Sequence, residues 1–150
     1  VLIADPVLSS TPVEVYPAVR DGDLQGVAFQ VTTIGYGGVI TLLLGLDHNG
    51  NILGVRVLSH KETPGLADKI EIGKGKWILS FDGASLANTA KPQWAVKKDG
   101  GQFDQFAGAT ITPRAIVNGV YRGREFYTRH VDDIAADVFA TGENTQEAVP

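Results

Sequence analysis

The sequence contains no cysteine and no methionine. Without cysteine there is no disulfide, thiolate metal site, iron–sulfur cluster or cysteine nucleophile. An exported domain stays open, because disulfides are permitted outside the cytoplasm but not required. The missing Met at position 1 leads us to expect that an N-terminal segment, a signal or an anchor, has been removed. No apolar run approaches the ~18 residues of a membrane-spanning helix. Basic charge is scarce: 13 Lys+Arg stand against 17 Asp+Glu, for a formal net charge of −4, and no Lys/Arg block occurs. Nucleic acid is therefore not an expected partner. No G-x-S-x-G elbow is present, and Gly75-Lys76 fails as a P-loop because Trp77 follows and Ile70 stands where the first Gly belongs. None of the three histidines, His48, His60 and His130, has a second ligand-type residue at metal-motif spacing, so no metal site is expected.

What is present describes one globular domain. At 150 residues, 43% hydrophobic and 20% charged, the chain can bury roughly 68–70% of its unfolded surface around a single core. Residues 1–12, with Pro6, Pro12 and Ser9-Ser10, read as a lead-in. Val13, Val15 and Val19 alternate with Glu14, Tyr16 and Arg20, the period of a half-buried strand, and Asp21-Gly22 is a hairpin signal. Val27, Phe29 and Val31 then share one face with Gln30 and Thr32 on the other. After the glycines at 35, 37 and 38, the stretch Val39–Leu46 is apolar on both faces, as a central strand would be. A second turn at 47–51 leads to a fourth strand, Ile52–Ser59. This predicts a four-strand antiparallel meander.

Residues 60–111 are punctuated by Gly and Pro and predict little beyond a short helix near Lys69–Ile72 or Lys76–Leu79 and a short strand at Gln93–Lys97. Irregular segments of this length in a compact domain usually carry function. The period then changes. Thr112-Pro113 reads as an N-cap followed by Pro at the first helical position, with the Thr112 oxygen accepting from the N–H of Ala115. Ile116, Val120, Tyr127, Val131, Ile134 and Val138 form the apolar stripe of one helix of about 25 residues, which Gly119 and Gly123 weaken and could break. Asp132-Asp133 reads as helix surface and 141–150 as a frayed tail. The fold class expected is α+β, an antiparallel meander with the helix packed on one face, the domain itself occupying 13–140.

Two segments could carry chemistry. In His60-Lys61-Glu62-Thr63-Pro64-Gly65-Leu66, Pro64-Gly65 suits a type II turn, and Gly65 leaves room for a flat ligand against the backbone. The same residues would equally make an ordinary turn. In Asp104-Gln105-Phe106-Ala107-Gly108-Ala109-Thr110, small residues allow a close approach, and free N–H groups at the following helix start would favour a phosphate near Thr110. A plain Gly-Ala turn feeding a helix fits the same composition.

These residues carry a resemblance. Asp104-x-x-Ala-Gly-Ala-Thr110 resembles the D-x-x-[ST]-G-A-T signature of the covalent FMN-binding domains, and Glu62–Leu66 resembles their E-T-P-G-L segment. Trp94–Gly101 and Thr112-Pro113-Arg114 look most like the G subunit of the Rnf electron-transport complex, to which the C subunit of the sodium-pumping NADH:quinone reductase is related. The resemblance runs from about Val13 to Phe139. It departs at Ala107, where the signature has Ser or Thr.

The resemblance implies FMN attached to Thr110 by a phosphoester, placed there by a flavin transferase that reads Asp104, Ala107, Gly108, Ala109 and Thr110. It implies that Glu62, Thr63, Gly65 and Leu66 line the isoalloxazine, with Gly108, Ala109 and Thr112 close by. Lys98 is the candidate cation near the ring, where it would stabilise the reduced flavin anion; Lys97 is the alternative, and either also reads as a surface lysine. Trp94 reads as a core residue or as a ring-stacking one. The implied function is electron relay within a membrane ion-translocating oxidoreductase complex of the ferredoxin:NAD type, on the extracytoplasmic face of the inner membrane, among other membrane subunits. Two further readings stay open: a non-covalent FMN-dependent oxidoreductase, and a cofactor-free extracytoplasmic interaction domain.

Overall fold

The alternation along the first half of the chain sorts side chains onto two faces of one sheet. In the computed structural model, which describes residues 1–148 and the side chains of residues 1–140, strands β3 (Tyr16–Arg20), β4 (Asp23–Ile34), β5 (Val39–Asp47) and β6 (Ile52–Ser59) pair in that order, every neighbour antiparallel. This is the expected meander. The Asp21-Gly22 turn has positive φ at both residues, 52° and 81°, which sets the twist a two-residue hairpin needs. Val27, Phe29 and Val31 of β4 and Ile40, Leu42, Leu44 and Leu46 of β5 are buried on the inner face. Each such side chain contributes roughly 1.5–3 kcal/mol by leaving water.

Three expectations need adjustment. Strand β5 is interior in the hydrogen-bonded order, yet only its inner face is buried: Thr41, Leu43 and Gly45 are half-buried on the other. No strand forms at Gln93–Lys97. Pro92 cannot donate to a ladder, and the chain makes 3₁₀ turns at Lys91–Gln93 and Lys97–Asp99 around a lone Val96–Phe103 bridge. The two alternatives for a short helix both occur as 3₁₀ turns, at Asp68–Ile70 and Trp77–Phe81. Two short strands, β1 (Leu2–Ile3) and β2 (Val13–Glu14), also pair ahead of the sheet.

Helix α1 spans Ile111–Ala148, 38 residues, and is unbroken at Gly119 and Gly123. Those glycines sit where the helix crosses the sheet most closely. A Cβ on Gly123 would lie 2.6 Å from Leu44 Cδ2 and 3.1 Å from Val31 Cγ2; one on Gly119 would lie 3.2 Å from Thr33 Cβ. Ile116, Val117, Val120, Phe126, Tyr127 and Ile134 fill the interface, with Phe126 tilted against Phe29 at 5.0 Å. The frayed tail expected at 141–150 lies outside the residues whose side chains are described.

On the helix's outer turn the lead-in is tied down. Asp5, buried, accepts from Arg129 Nε at 3.0 Å, has His130 Nε2 at 2.7 Å, and accepts from the N–H groups of Val7 and Leu8.

Candidate functional site

The start of α1 fixes the geometry. Arg114 N–H donates to the Thr110 carbonyl at 3.2 Å, so Thr110 is the N-cap and Ile111 the first helical residue. The cap expected at Thr112 is therefore displaced by two residues. Thr112 is buried, and its hydroxyl does not cap the helix but donates to Glu62 Oε1 at 2.5 Å. The helix begins two residues earlier, so Thr112 already lies within its first turn, and its hydroxyl proton makes a charge-assisted bond to a carboxylate fifty residues away. Pro113 has no N–H to satisfy. Among the described residues, the N–H groups of Ile111 and Thr112 have no protein acceptor, so the positive end of a long helix stays open to an anion.

The loop before the helix is a tight turn. Ala109 N–H donates to the Phe106 carbonyl at 3.1 Å, with Gly108 at φ 73°. Phe106 packs edge-on against Trp77 at 5.5 Å, and the Trp77 indole N–H donates to the Asp104 carbonyl at 2.8 Å, which pins the turn from below. Ala107 and Gly108 are exposed at its tip and Thr110 is half-buried at its base. The Asp104 side chain points out to Lys97 Nζ at 2.7 Å. Asp99 grips Arg114 through two bonds, 2.7 and 3.0 Å, and the guanidinium holds its carboxyl below the usual range.

Opposite lies the 60–68 loop. Pro64-Gly65 forms the expected turn, with Gly65 at φ 77° and the Thr63 carbonyl accepting from Leu66 and Ala67 at 3.2 and 3.0 Å. The Gly65 N–H donates to Asp68 Oδ1 at 2.9 Å, and that bond, with Lys74 at 3.0 Å, keeps the Asp68 carboxyl low. His60 Nδ1 accepts the Glu62 N–H at 3.0 Å, which assigns the proton to Nε2, facing Glu71 at 3.0 Å.

Between the two loops is a cavity of about 290 Å³. Thr63, Leu66 and Ala67 form one wall, and Gly108 to Thr112 the other, with Tyr36 at the rim. Six residues singled out from sequence thus meet here: Thr63, Leu66, Gly108, Ala109, Thr110 and Thr112. Glu62 stands behind the wall, its carboxylate turned to protein donors. Gly65, Lys98, Asp104 and Ala107 do not line the cavity. Lys98 is exposed on its 3₁₀ turn, its N–H on Gln105 Oε1 at 3.2 Å. Trp94 is a core residue, donating to the Thr89 carbonyl at 3.1 Å. Sequence reasoning missed Tyr36, Ala67 and Ile111. An aromatic inside Gly35-Tyr-Gly-Gly38 was the available signal for Tyr36, since so many glycines leave its ring little to pack against.

The FMN-binding domain family matches residues 35–125, which include both loops and the helix start. The chain belongs to this family. Among known relatives of this FMN-binding domain, the G subunit of the ion-translocating oxidoreductase complex of Stutzerimonas stutzeri is 61% identical over 138 residues, covering 92% of this chain and 57% of that protein. The G subunit of the same complex from Cereibacter sphaeroides is 52% identical over 124 residues, covering 83% and 57%. The domain thus spans little more than half the length of these curated relatives. The crystal structure of NqrC from Shewanella oneidensis superposes with a TM-score of 0.64 over 88% of this chain and 67% of that one, at 23% identity, which establishes a shared fold.

Proposed function

We propose that this domain is the electron-carrying part of the G subunit of a membrane ion-translocating oxidoreductase complex, with FMN joined to Thr110 by a phosphoester. The observation that carries the reading is the convergence of both signature loops on one cavity at the open N-terminus of α1. The donor set fits the group. Thr110 offers a half-buried hydroxyl at the N-cap, and the unpartnered N–H groups of Ile111 and Thr112 suit a phosphate. Leu66, Ala67 and Ala109 present apolar surface, and Thr63 a small polar side chain, suited to a planar ring.

When bound, FMN supplies one- and two-electron transfer. The chain's own part is to hold, orient and expose. The helix terminus would stabilise the phosphate by about 0.3–2 kcal/mol. The turn around Gly65 and the rim at Tyr36 would leave one edge of the ring reachable by neighbouring subunits. Glu62 acts from behind the wall, and Lys98, outside it, is given no part. The exposed tip Ala107-Gly108 is where a flavin transferase would reach the signature. Other membrane subunits of the complex are the proposed electron partners, and the extracytoplasmic face of the inner membrane, reached through an N-terminal anchor, the proposed site of action. Electron relay rather than turnover of a small substrate is the reading supported by the likeness to the G subunits of ion-translocating oxidoreductase complexes.

Intact mass spectrometry tests this. Exported together with a flavin transferase, the chain should gain the mass of one FMN less one water, and the gain should survive denaturation. Thr110→Ala should show no gain. Flavin that leaves on denaturation, or that stays bound to Thr110→Ala, would instead support a non-covalent flavoenzyme.

A further inference from the structure

Glu62 is buried and forms no ion pair with Lys, Arg or His among the described residues. Its carboxylate instead accepts three bonds from two separate elements. Oε1 takes the Tyr36 N–H at 2.8 Å and the Thr112 hydroxyl at 2.5 Å, and Oε2 takes the Gly37 N–H at 2.6 Å. The glycines of the β4–β5 turn are there to admit it. A Cβ on Gly37 would come within 2.8 Å of Oε2, and one on Gly35 would fall inside contact distance of Oε1 and lie 2.6 Å from Ile40 Cδ1. The backbone therefore wraps around the carboxylate. The Gly35 N–H to Gly38 carbonyl bond, 2.8 Å, closes the wrap.

Both elements it holds are cavity walls. Tyr36, carried on the turn, is at the rim, and Thr112, the second residue of α1, is in the wall two positions from Thr110. We propose that Glu62 is a positioning residue of the flavin site: one carboxylate behind the wall sets the separation between the Tyr36 turn and the helix start, and so the width of the cavity. This rests on the flavin reading above. Because the carboxylate has no cationic partner among the described residues, it would also place a negative charge behind the cavity wall and so disfavour the negative charge that a flavin bound there gains on reduction.

Glu62→Gln, Thr112→Val and Thr112→Ser test the proposal with two readouts. The first is amide hydrogen exchange at Tyr36 and Gly37 in the flavin-free chain. A glutamine has one acceptor oxygen and cannot serve three donors. Exchange at both amides should then rise on the order of tenfold in Glu62→Gln, as local opening loses its charge-assisted bonds. Thr112→Val should produce a smaller rise at Tyr36, and Thr112→Ser should behave as wild type. The second readout is the visible circular dichroism and midpoint potential of the flavin-loaded chain. The dichroism should change in Glu62→Gln and Thr112→Val and be restored in Thr112→Ser, and the potential of Glu62→Gln should rise.

Unchanged exchange in Glu62→Gln and Thr112→Val overturns the proposal. So does altered exchange with flavin dichroism and potential identical to wild type, which would leave Glu62 a structural group only. If Glu62→Gln does not fold, the Thr112 pair decides by the same comparison. A wild-type chain that never acquires flavin would sink the flavin reading itself, and is told apart because the exchange measurement needs no flavin.

Discussion

At the scale of single residues, two buried groups of opposite charge, Glu62 and Arg124, sit in different circumstances. Glu62 is fully engaged by donors. Arg124 is not: it is buried against the β5–β6 turn, with the guanidinium about 3 Å from the position a Cβ on Gly50 would take, and its Nε and one Nη have no partner among the described residues. Burial pushes the guanidinium below its ordinary range, with Tyr127 and Asp47 opposing. A buried donor without an acceptor costs roughly 1–3 kcal/mol, so an apolar side chain of similar length should do better. Arg124→Met is expected to raise the melting temperature, as followed by far-UV circular dichroism. A clear fall would mean that Arg124 has a partner in solution, such as a buried water. The contrast between the two residues also bears on Thr112, whose partner is Glu62 and not its own helix. Local spacing named Thr112 as a cap because an N-cap is a pattern of neighbours. A carboxylate fifty residues distant leaves no trace in such a pattern.

At the scale of elements, the contact between α1 and the sheet is governed by its two glycines. On an exposed helix, replacing Gly by Ala would stabilise by up to about 1 kcal/mol. Here the added methyl at 123 meets fully buried Leu44 and Val31, and overpacking of this kind costs about 1–3 kcal/mol. Gly123→Ala should therefore lower stability in urea denaturation by about 1–2 kcal/mol, and Gly119→Ala by less, its nearest neighbour being 3.2 Å away. Equal effects would argue against close approach as the reason for glycine at 123. The strands were readable because period-2 alternation and the Asp-Gly and Asn-Gly turns are local signals. The length of α1 was not, because its apolar stripe stops short of its hydrogen bonding. Nor was the absence of a strand at 93–97, where aromatic packing among Trp94, Phe103 and Phe81 replaces a ladder. The cavity itself was half legible. Two motifs gave its walls, while Tyr36 came from a turn whose glycines read only as punctuation.

At the scale of the whole molecule, Asp5 ties the start of the chain to the middle of α1. Burial pushes the Asp5 carboxyl up, but the bonds from His130 and Arg129 and the charge of Arg129 outweigh it, so the carboxyl is held below its ordinary value. A carboxyl depressed in the folded state contributes stability above its unfolded pKa of about 3.9, and loses it as pH falls through the folded value. Asp5→Asn should be less stable than wild type by about 1–3 kcal/mol at pH 7. The gap should close as pH is lowered from about 4. A gap independent of pH would show that shape, not charge, makes the contact.

That same tie determines how the molecule carries force. A pull applied through the first residues passes into the two-residue β1–β2 ladder and then, across a sequence separation of 124, into α1 at Arg129. Arg129 lies about 28 Å along the helix from Thr110 at 1.5 Å per residue. The cavity loops hang from β4, β5, β6 and the N-terminal end of α1, nineteen residues before Arg129. Under tension from its N-terminus, the domain would load the β1–β2 ladder and the Asp5 clamp first, a mechanical fuse ahead of the walls around Thr110.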